Sequence, residues 1–226
     1  MLLHEGLGSV AMWKDLPRVL AARTGRDVVA YSRRGYGRSA PIDSPRAMTY
    51  MHREGEVVLP ALLAALGIER AILFGHSDGA SIALICAGTH PQRAAALILE
   101  APHVFVEELS VRSIAAARDA WESGDLRAKL ARYHDDVDGA FRGWNGAWLD
   151  PRFRDWNIEA YADQVCCPVL IVQGDADEYG TLAQLDRIAA RIPQAEALVV
   201  PGAGHSPHRD AASAVLERVV SFTATI

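Results

Sequence analysis

The sequence predicts an α/β fold: a mostly parallel central sheet of about six strands, flanked by helices on both faces. Three observations predict it. Short apolar runs alternate along the chain with longer stretches of helical periodicity, and strand–helix–strand succession builds parallel sheets. The runs are apolar throughout rather than at every second residue, as strands covered on both faces are. The chain of 226 residues, 50% apolar and 23% charged, has the composition and length to close a large core without disulfides or metals.

The strand candidates are the tail at 1–4 and the runs 27–31, 71–74, 95–99, 169–172 and 197–200. Each is bounded by turn residues. Helical stretches lie near 10–23, 49–66, 79–89, 181–192 and 208–222. From 103 to 164 the rhythm breaks and no strand is evident. Here 109–121 and 126–133 read as helices, with Gly124 and Gly139 as breaks. Four of the five tryptophans fall in this stretch: Trp121, Trp144, Trp148 and Trp156. We read it as a helical lid inserted over the carboxyl ends of the strands. The division is then a core of 1–102 plus 165–226 and a lid of 103–164.

Composition excludes several classes. A net charge of −5 offers no basic footprint for nucleic acid. No apolar run approaches the roughly 18 residues of a membrane span. The opening Met1-Leu-Leu-His-Glu5 has neither the basic start nor the apolar stretch of a signal peptide. The three cysteines are Cys86, Cys166 and Cys167. Two of them are adjacent and no CxxC exists, so they read as thiols of a reducing, cytoplasmic setting. There is no internal repeat and no low-complexity linker.

The chemistry starts at Gly75-His76-Ser77-Asp78-Gly79, which follows the run 71–74 and precedes a helical stretch. A serine on a sharp strand-to-helix turn stands exposed above the sheet, at a helix end that favours negative charge. Small residues two before and two after let strand and helix approach. The competing reading of Ser77 is a simple helix N-cap. A serine nucleophile needs a base, and the base an orienting acid, in chain order serine, acid, histidine. After the run 169–172 comes Gly174-Asp-Ala-Asp-Glu178, and after 197–200 comes Gly202-Ala-Gly-His205. Both follow strand ends, where a parallel sheet gathers its site.

With these motifs, and with His4-Glu-Gly-Leu-Gly-Ser9 and Ser32-Arg-Arg-Gly-Tyr-Gly-Arg-Ser39, nearly the whole chain resembles the α/β-hydrolase fold. It is similar there to lidded serine esterases and to meta-cleavage-product C–C hydrolases. The resemblance implies a Ser77–Asp177–His205 triad, because the family acid is usually the fourth residue of G-x-x-D. Asp175 and Glu178 are the near alternatives and Glu100 a remoter one. It also implies an oxyanion hole from the backbone N–H of Asp78 and that of Gly6, with Leu7 the alternative to Gly6. The usual His-Gly-x-x-Gly carries Glu5 at its second position here. That carboxylate either points to the pocket or turns away. Family members normally open with a two-strand hairpin; here Met1 already sits on the oxyanion-loop strand. The expected sheet therefore has the 27–31 strand at an open edge, a place for a homodimer contact.

Of the eight histidines, His205 is the candidate base. His208 reads as a surface or capping residue at a helix start. His205-x-x-His208 lacks a third ligand, so no metal is expected. His76 and His103 are pocket candidates, with Glu5, Leu7, Trp121, Trp144 and Trp148. His134 to Gly139 fails as a calcium loop, since position 12 would be Asn145. No nucleotide-binding glycine motif is present.

The expected chemistry is acyl transfer to water through an acyl-serine, without metal or organic cofactor, on a small-molecule ester, thioester or diketone. Rivals are C–C hydrolysis with the same triad and a non-catalytic binding member of the fold. The C–C enzymes often place Asn where this chain has His76. A dehalogenase or epoxide hydrolase would need Asp at position 77.

Overall fold

The computed structural model describes residues 1–42 and 45–226. Its sheet has six parallel strands in the order β2-β1-β3-β4-β5-β6. These are β1 (Leu2–Leu3), β2 (Ala30–Tyr31), β3 (Ala71–His76), β4 (Ala94–Glu100), β5 (Val169–Gly174) and β6 (Glu196–Val200). The run expected at 27–31 pairs over only two residues. It lies at the sheet edge as expected. A short edge strand offers little ladder to a partner chain.

Side chains alternate between two cores, one on each face. Leu3, Leu73, Leu97, Leu99, Val169 and Ile171 pack on one face. Leu2, Phe74, Ala96, Ile98, Leu170 and Val172 pack on the other. The second face is covered by α1 (Leu16–Thr24) and, near the end of the chain, by a helix at Ala212–Thr223, through Leu20, Val215, Val219 and Phe222.

On the first face, α2 (Tyr50–Arg53) and α3 (Leu59–Ala65) are joined by a π-helical turn, Glu54–Val58. The periodicity predicts one unbroken helix there, and Pro60 explains the difference. It has no N–H for the carbonyl four residues back. That carbonyl, of Glu56, pairs instead with His90 Nε2 at 2.7 Å. Next comes α4 (Asp78–Thr89), whose residues from Asp78 to Ala87 are all buried. It runs through the core directly behind Ser77.

Between β4 and β5 lie α5 (Glu108–Ser123), α6 (Leu126–Leu130), α7 (Val137–Leu149) and α8 (Glu159–Ala162). Gly139 is not a break but lies in the first turn of α7. Asp136 caps that helix by accepting from the Gly139 N–H at 2.9 Å. A single antiparallel bridge, Phe105 with Asn157, closes the neck of this excursion. The chain ends with α9 (Ala183–Arg191), α10 (Pro207–Asp210) and α11 (Ala212–Thr223). Among the described residues no helix is long and apolar enough to cross a membrane.

The contact that sets the rest is between β1, β3 and α4. A Cβ on Gly75 would lie 2.2 Å from the Gly79 carbonyl oxygen, and one on Gly79 would lie 2.0 Å from that of Leu3. Both obstacles are backbone, which cannot rotate away. We therefore predict that Gly79→Ala costs roughly 3 kcal/mol or more by overpacking. Thermal melting should show Tm lowered by about 6 °C or more; an unchanged Tm would mean the contact can relax.

Candidate active site

Ser77 closes β3 and opens α4 with φ 54° and ψ −119°, a region that costs an L-residue roughly 1–3 kcal/mol. Its N–H is anchored to the Glu100 carbonyl at 2.8 Å, and its own carbonyl accepts from Ala80 N–H at 2.8 Å. The hydroxyl Oγ is thereby presented 2.9 Å from His205 Nε2. His205 Nδ1 in turn lies 2.9 Å from both carboxylate oxygens of Asp177. With the imidazole neutral, Nδ1–H donates to Asp177 and Nε2 accepts from Ser77.

The neighbouring acids have other partners. Asp175 accepts from Gly202 N–H at 2.6 Å, and Glu178 from the backbone N–H of His205 at 3.1 Å. Asp177 also receives Gln173 Nε2 at 2.6 Å and the Tyr179 N–H at 2.8 Å. Burial pushes its carboxyl up, but the His205 bond and the Tyr179 N–H outweigh burial and hold it below the usual range.

A glycine-bearing loop follows β1. Among the described residues the backbone N–H groups of Gly6 and Asp78 have no hydrogen-bond partner, and both residues line the same cavity as Ser77. Free N–H groups beside a nucleophile are the arrangement that stabilises a developing oxyanion.

The sequence profile described as the "Alpha/beta hydrolase family" matches residues 1–218. The chain belongs to that family. A relative from Caulobacter sp. (strain K31), provisionally named carbamate hydrolase RutD, is 28% identical over 98% of this chain and 89% of its own. The human serine hydrolase BPHL is 26% identical over 80% of this chain, which matches 64% of that protein. Among solved structures, a carboxylesterase study of Nitrososphaera gargenis gives a TM-score of 0.78 at 18% identity. That match covers 99% of this chain and 90% of the other.

In this hydrolase the cavity at Ser77 measures about 110 Å³ and is lined by Glu5, Gly6, Leu7, Asp78, His103, Ile114, Trp144, Trp148, Tyr179 and His205. Larger grooves elsewhere on the surface hold neither Ser77 nor His205. Trp121 and His76, both expected at the pocket, do not line it. Trp121 stacks flat on Phe141, centroids 4.0 Å apart, and so glues α5 to α7. His76 is buried beside the sheet, its ring 5.2 Å from that of His205. Ile114 and Tyr179 were not singled out from sequence; nothing local distinguishes a lining isoleucine from a core one.

Trp144 lies against the loop after β1, with Nε1 2.1 Å from where a Gly6 Cβ would be. Trp148 Nε1 donates to Asp78 Oδ1 at 3.3 Å, and Tyr50 Oη donates to Asp78 Oδ2 at 2.5 Å. Burial raises the Asp78 carboxyl above its ordinary range, partly offset by Arg33. His103 is driven down to about 3 by burial and by His205, so its imidazole is neutral.

His208 is a correction: it is buried, not at the surface. Its Nδ1–H donates to Glu100 Oε2 at 2.8 Å, so Glu100 is paired away from His205. Periodicity does not reveal this pair, since a buried glutamate at a strand end reads as a boundary.

Arg33, from the glycine-rich 32–39 segment, is buried and supports the loop after β1. Its guanidinium donates to the His4 carbonyl and, at 2.8 Å, to that of Glu5. Its backbone N–H donates to His4 Nε2 at 3.1 Å, so His4 Nδ1–H donates to the Glu5 carbonyl at 2.7 Å. Arg33→Met keeps the stem and removes both donors; the Glu5 carbonyl keeps His4 Nδ1–H and the Gly8 N–H, while the buried His4 carbonyl is left short. At about 1–3 kcal/mol for that unsatisfied group, Tm should fall by roughly 3–9 °C. Calorimetry showing no loss would remove Arg33 from the support of this loop.

Proposed function

We propose that the protein hydrolyses a small carboxylic ester, or thioester, through an acyl-serine. The observation that carries this reading is the continuous hydrogen-bonded line from Ser77 Oγ through the His205 ring to Asp177, each step 2.9 Å.

His205 takes the proton of Ser77 as Oγ attacks the substrate carbonyl carbon. Asp177 holds the ring in the tautomer with Nδ1 protonated and balances the imidazolium that forms. The N–H groups of Gly6 and Asp78 receive the negative oxygen. His205 then gives its proton to the departing alkoxide or thiolate. In the second half, water attacks the acyl carbon while His205 takes its proton, and Ser77 leaves with the proton returned. The names of relatives, a serine hydrolase and carboxylesterases among them, support this class. So does the serine at 77, which C–O attack on an epoxide or C–halogen displacement would replace with a carboxylate. The three cysteines are unpaired, which supports a cytoplasmic setting.

Residues 103–164 act as a lid that shapes the site. Trp144 and Trp148 from α7 roof the cavity, and 110 Å³ is small beside the roughly 300–1,000 Å³ of drug-sized ligand sites. The acyl group it fits is short. Across a p-nitrophenyl ester series we expect kcat/KM to be highest for acetate to butyrate and to fall by about tenfold or more at octanoate. Preference for the long chain would show that the lid does not set acyl length. Ser77→Ala should abolish turnover throughout.

The acid assignment has its own test. Asp177→Asn should lower kcat by roughly 10³–10⁴-fold, as loss of the tautomer-fixing acid does. Asp175→Asn, which only loosens a turn, should cost less than about tenfold by the same reasoning. The reverse order would move the acid by two positions.

A further inference from the structure

Four ionisable side chains sit together beside Ser77 and His205 and take no part in the acyl transfer: Glu5, which also lines the cavity, His76, Glu100 and His208. His76 connects them. Its Nε2 lies 2.6 Å from the carbonyl oxygen of His205. A carbonyl only accepts, so that nitrogen carries a proton. Its Nδ1 has no hydrogen-bond partner and lies 3.6 Å from Glu5 Oε2. The His76 side chain is 1% exposed and that of Glu5 16%, so water screens the pair poorly. A bare lone pair facing a carboxylate in such a place is repulsive; a proton on Nδ1 converts the same geometry into an ion pair.

We propose that Glu5 holds His76 as a doubly protonated imidazolium, and that this pair is a positioning device joining the oxyanion loop to the backbone of the general base. The proposal rests on the roles given above to Ser77, Gly6 and His205. It gives a purpose to Glu5, the residue that departs from the His-Gly-x-x-Gly pattern. One end of the device is the residue immediately before Gly6. The other is the residue that takes the serine proton. Fixing both through one ring sets the distance between oxyanion donor and base, a quantity that acts on the transition state more than on substrate binding.

The groups facing His76 are consistent with its charge. Glu100, at the end of β4, presents a second carboxylate and attracts it. Glu100 is itself bonded to His208 through Nδ1–H at 2.8 Å and through the His208 backbone N–H at 2.6 Å. The His208 ring lies 5.2 Å from that of His76, edge to face, and the Trp13 ring 6.4 Å away. His205 is the hydrogen-bond acceptor through its carbonyl, its ring tilted at 45°. His103, on the cavity side, is neutral. Arg209 approaches the other Glu5 oxygen at 3.7 Å and competes for it from the solvent side.

Burial drags the His76 imidazolium toward release of its proton, but Glu5 and Glu100 outweigh burial and push its titration up to about 9. A pKa raised in the fold contributes stability that is complete below the unfolded histidine value of about 6.5. That contribution is lost as pH rises through about 9. Donor atoms of His76, Glu100 and His208 lie within 4.8 Å of one another. Of these groups His208 Nδ1 is bonded to Glu100 and His76 Nε2 to the His205 carbonyl, while His76 Nδ1 and His208 Nε2 have no hydrogen-bond partner.

The test has two arms. In the intact protein, ¹⁵N spectra of the His76 ring at about pH 7.5, between the two titration points, should show protons on both nitrogens. In Glu5→Gln they should show one. A single protonated nitrogen in the unaltered protein would overturn the proposal whether or not the enzyme is an esterase. The second arm measures the rate at which a fluorophosphonate labels Ser77. The ratio of the unaltered protein to Glu5→Gln should be below about threefold near pH 6.5 and grow to about tenfold or more near pH 8.5, as the variant's His76 loses its charge first. A ratio constant with pH would reduce Glu5 to packing and overturn the device. Labelling that persists in Ser77→Ala would instead overturn the serine reading, so the two failures are distinguishable.

Discussion

The turn at Ser77 holds an L-residue at φ 54°, and much of the molecule can be read as the means of keeping it there. Strain of roughly 1–3 kcal/mol persists only where the surroundings over-determine it. Here β3 is flanked by β1 and β4, Gly75 and Gly79 let α4 approach within contact of β1, and the Ser77 N–H is tied to β4 at 2.8 Å. The apolar strands are therefore more than a core. They are the frame against which a hydroxyl and a free N–H can be aimed together.

The same frame gathers the remaining parts. Loops after β1, β3, β4, β5 and β6 emerge at one end of a parallel sheet, and they bring Gly6, Ser77, His103, Asp177 and His205 to one place. Buried polar groups then fix the loops. Arg33 grips two carbonyls of the loop after β1. Asp177 accepts from Gln173 and the Tyr179 N–H as well as from His205. Each such group is costly to bury alone and specific when paired, so the polar network restricts the loops to one arrangement. The excursion between β4 and β5 contributes Trp144 and Trp148 to the cavity wall, the latter bonded to Asp78, the residue after Ser77.

Much of this was legible in sequence because it rests on local chemistry. Buried parallel strands need apolar runs, and the runs at 71–74, 95–99, 169–172 and 197–200 each fall within a strand. The turn at Ser77 needs small residues at fixed spacing, and they are written at 75 and 79. What was not legible depends on contacts between distant residues. The pairing of Glu5 with His76 spans 71 positions and that of Glu100 with His208 spans 108, so neither leaves a local mark. Trp121 and Trp144 look alike in the chain, yet one stacks on Phe141 between α5 and α7 and the other lines the cavity. Gly139 reads as a break, but Asp136 turns it into the first turn of a helix. The run at 27–31 has strand character along its length, while the register with β1 admits only two residues.

The central claim is that Ser77 carries the acyl group between the two halves of the reaction. Rapid-quench turnover of p-nitrophenyl acetate, followed by peptide mass spectrometry, tests it most directly. The account predicts a p-nitrophenol burst of about one equivalent per chain, with the acetyl group on the peptide containing Ser77 and no burst after Ser77→Ala. Steady turnover with no acetylated peptide, or an acetyl group on a different residue that turns over at the catalytic rate, would contradict it.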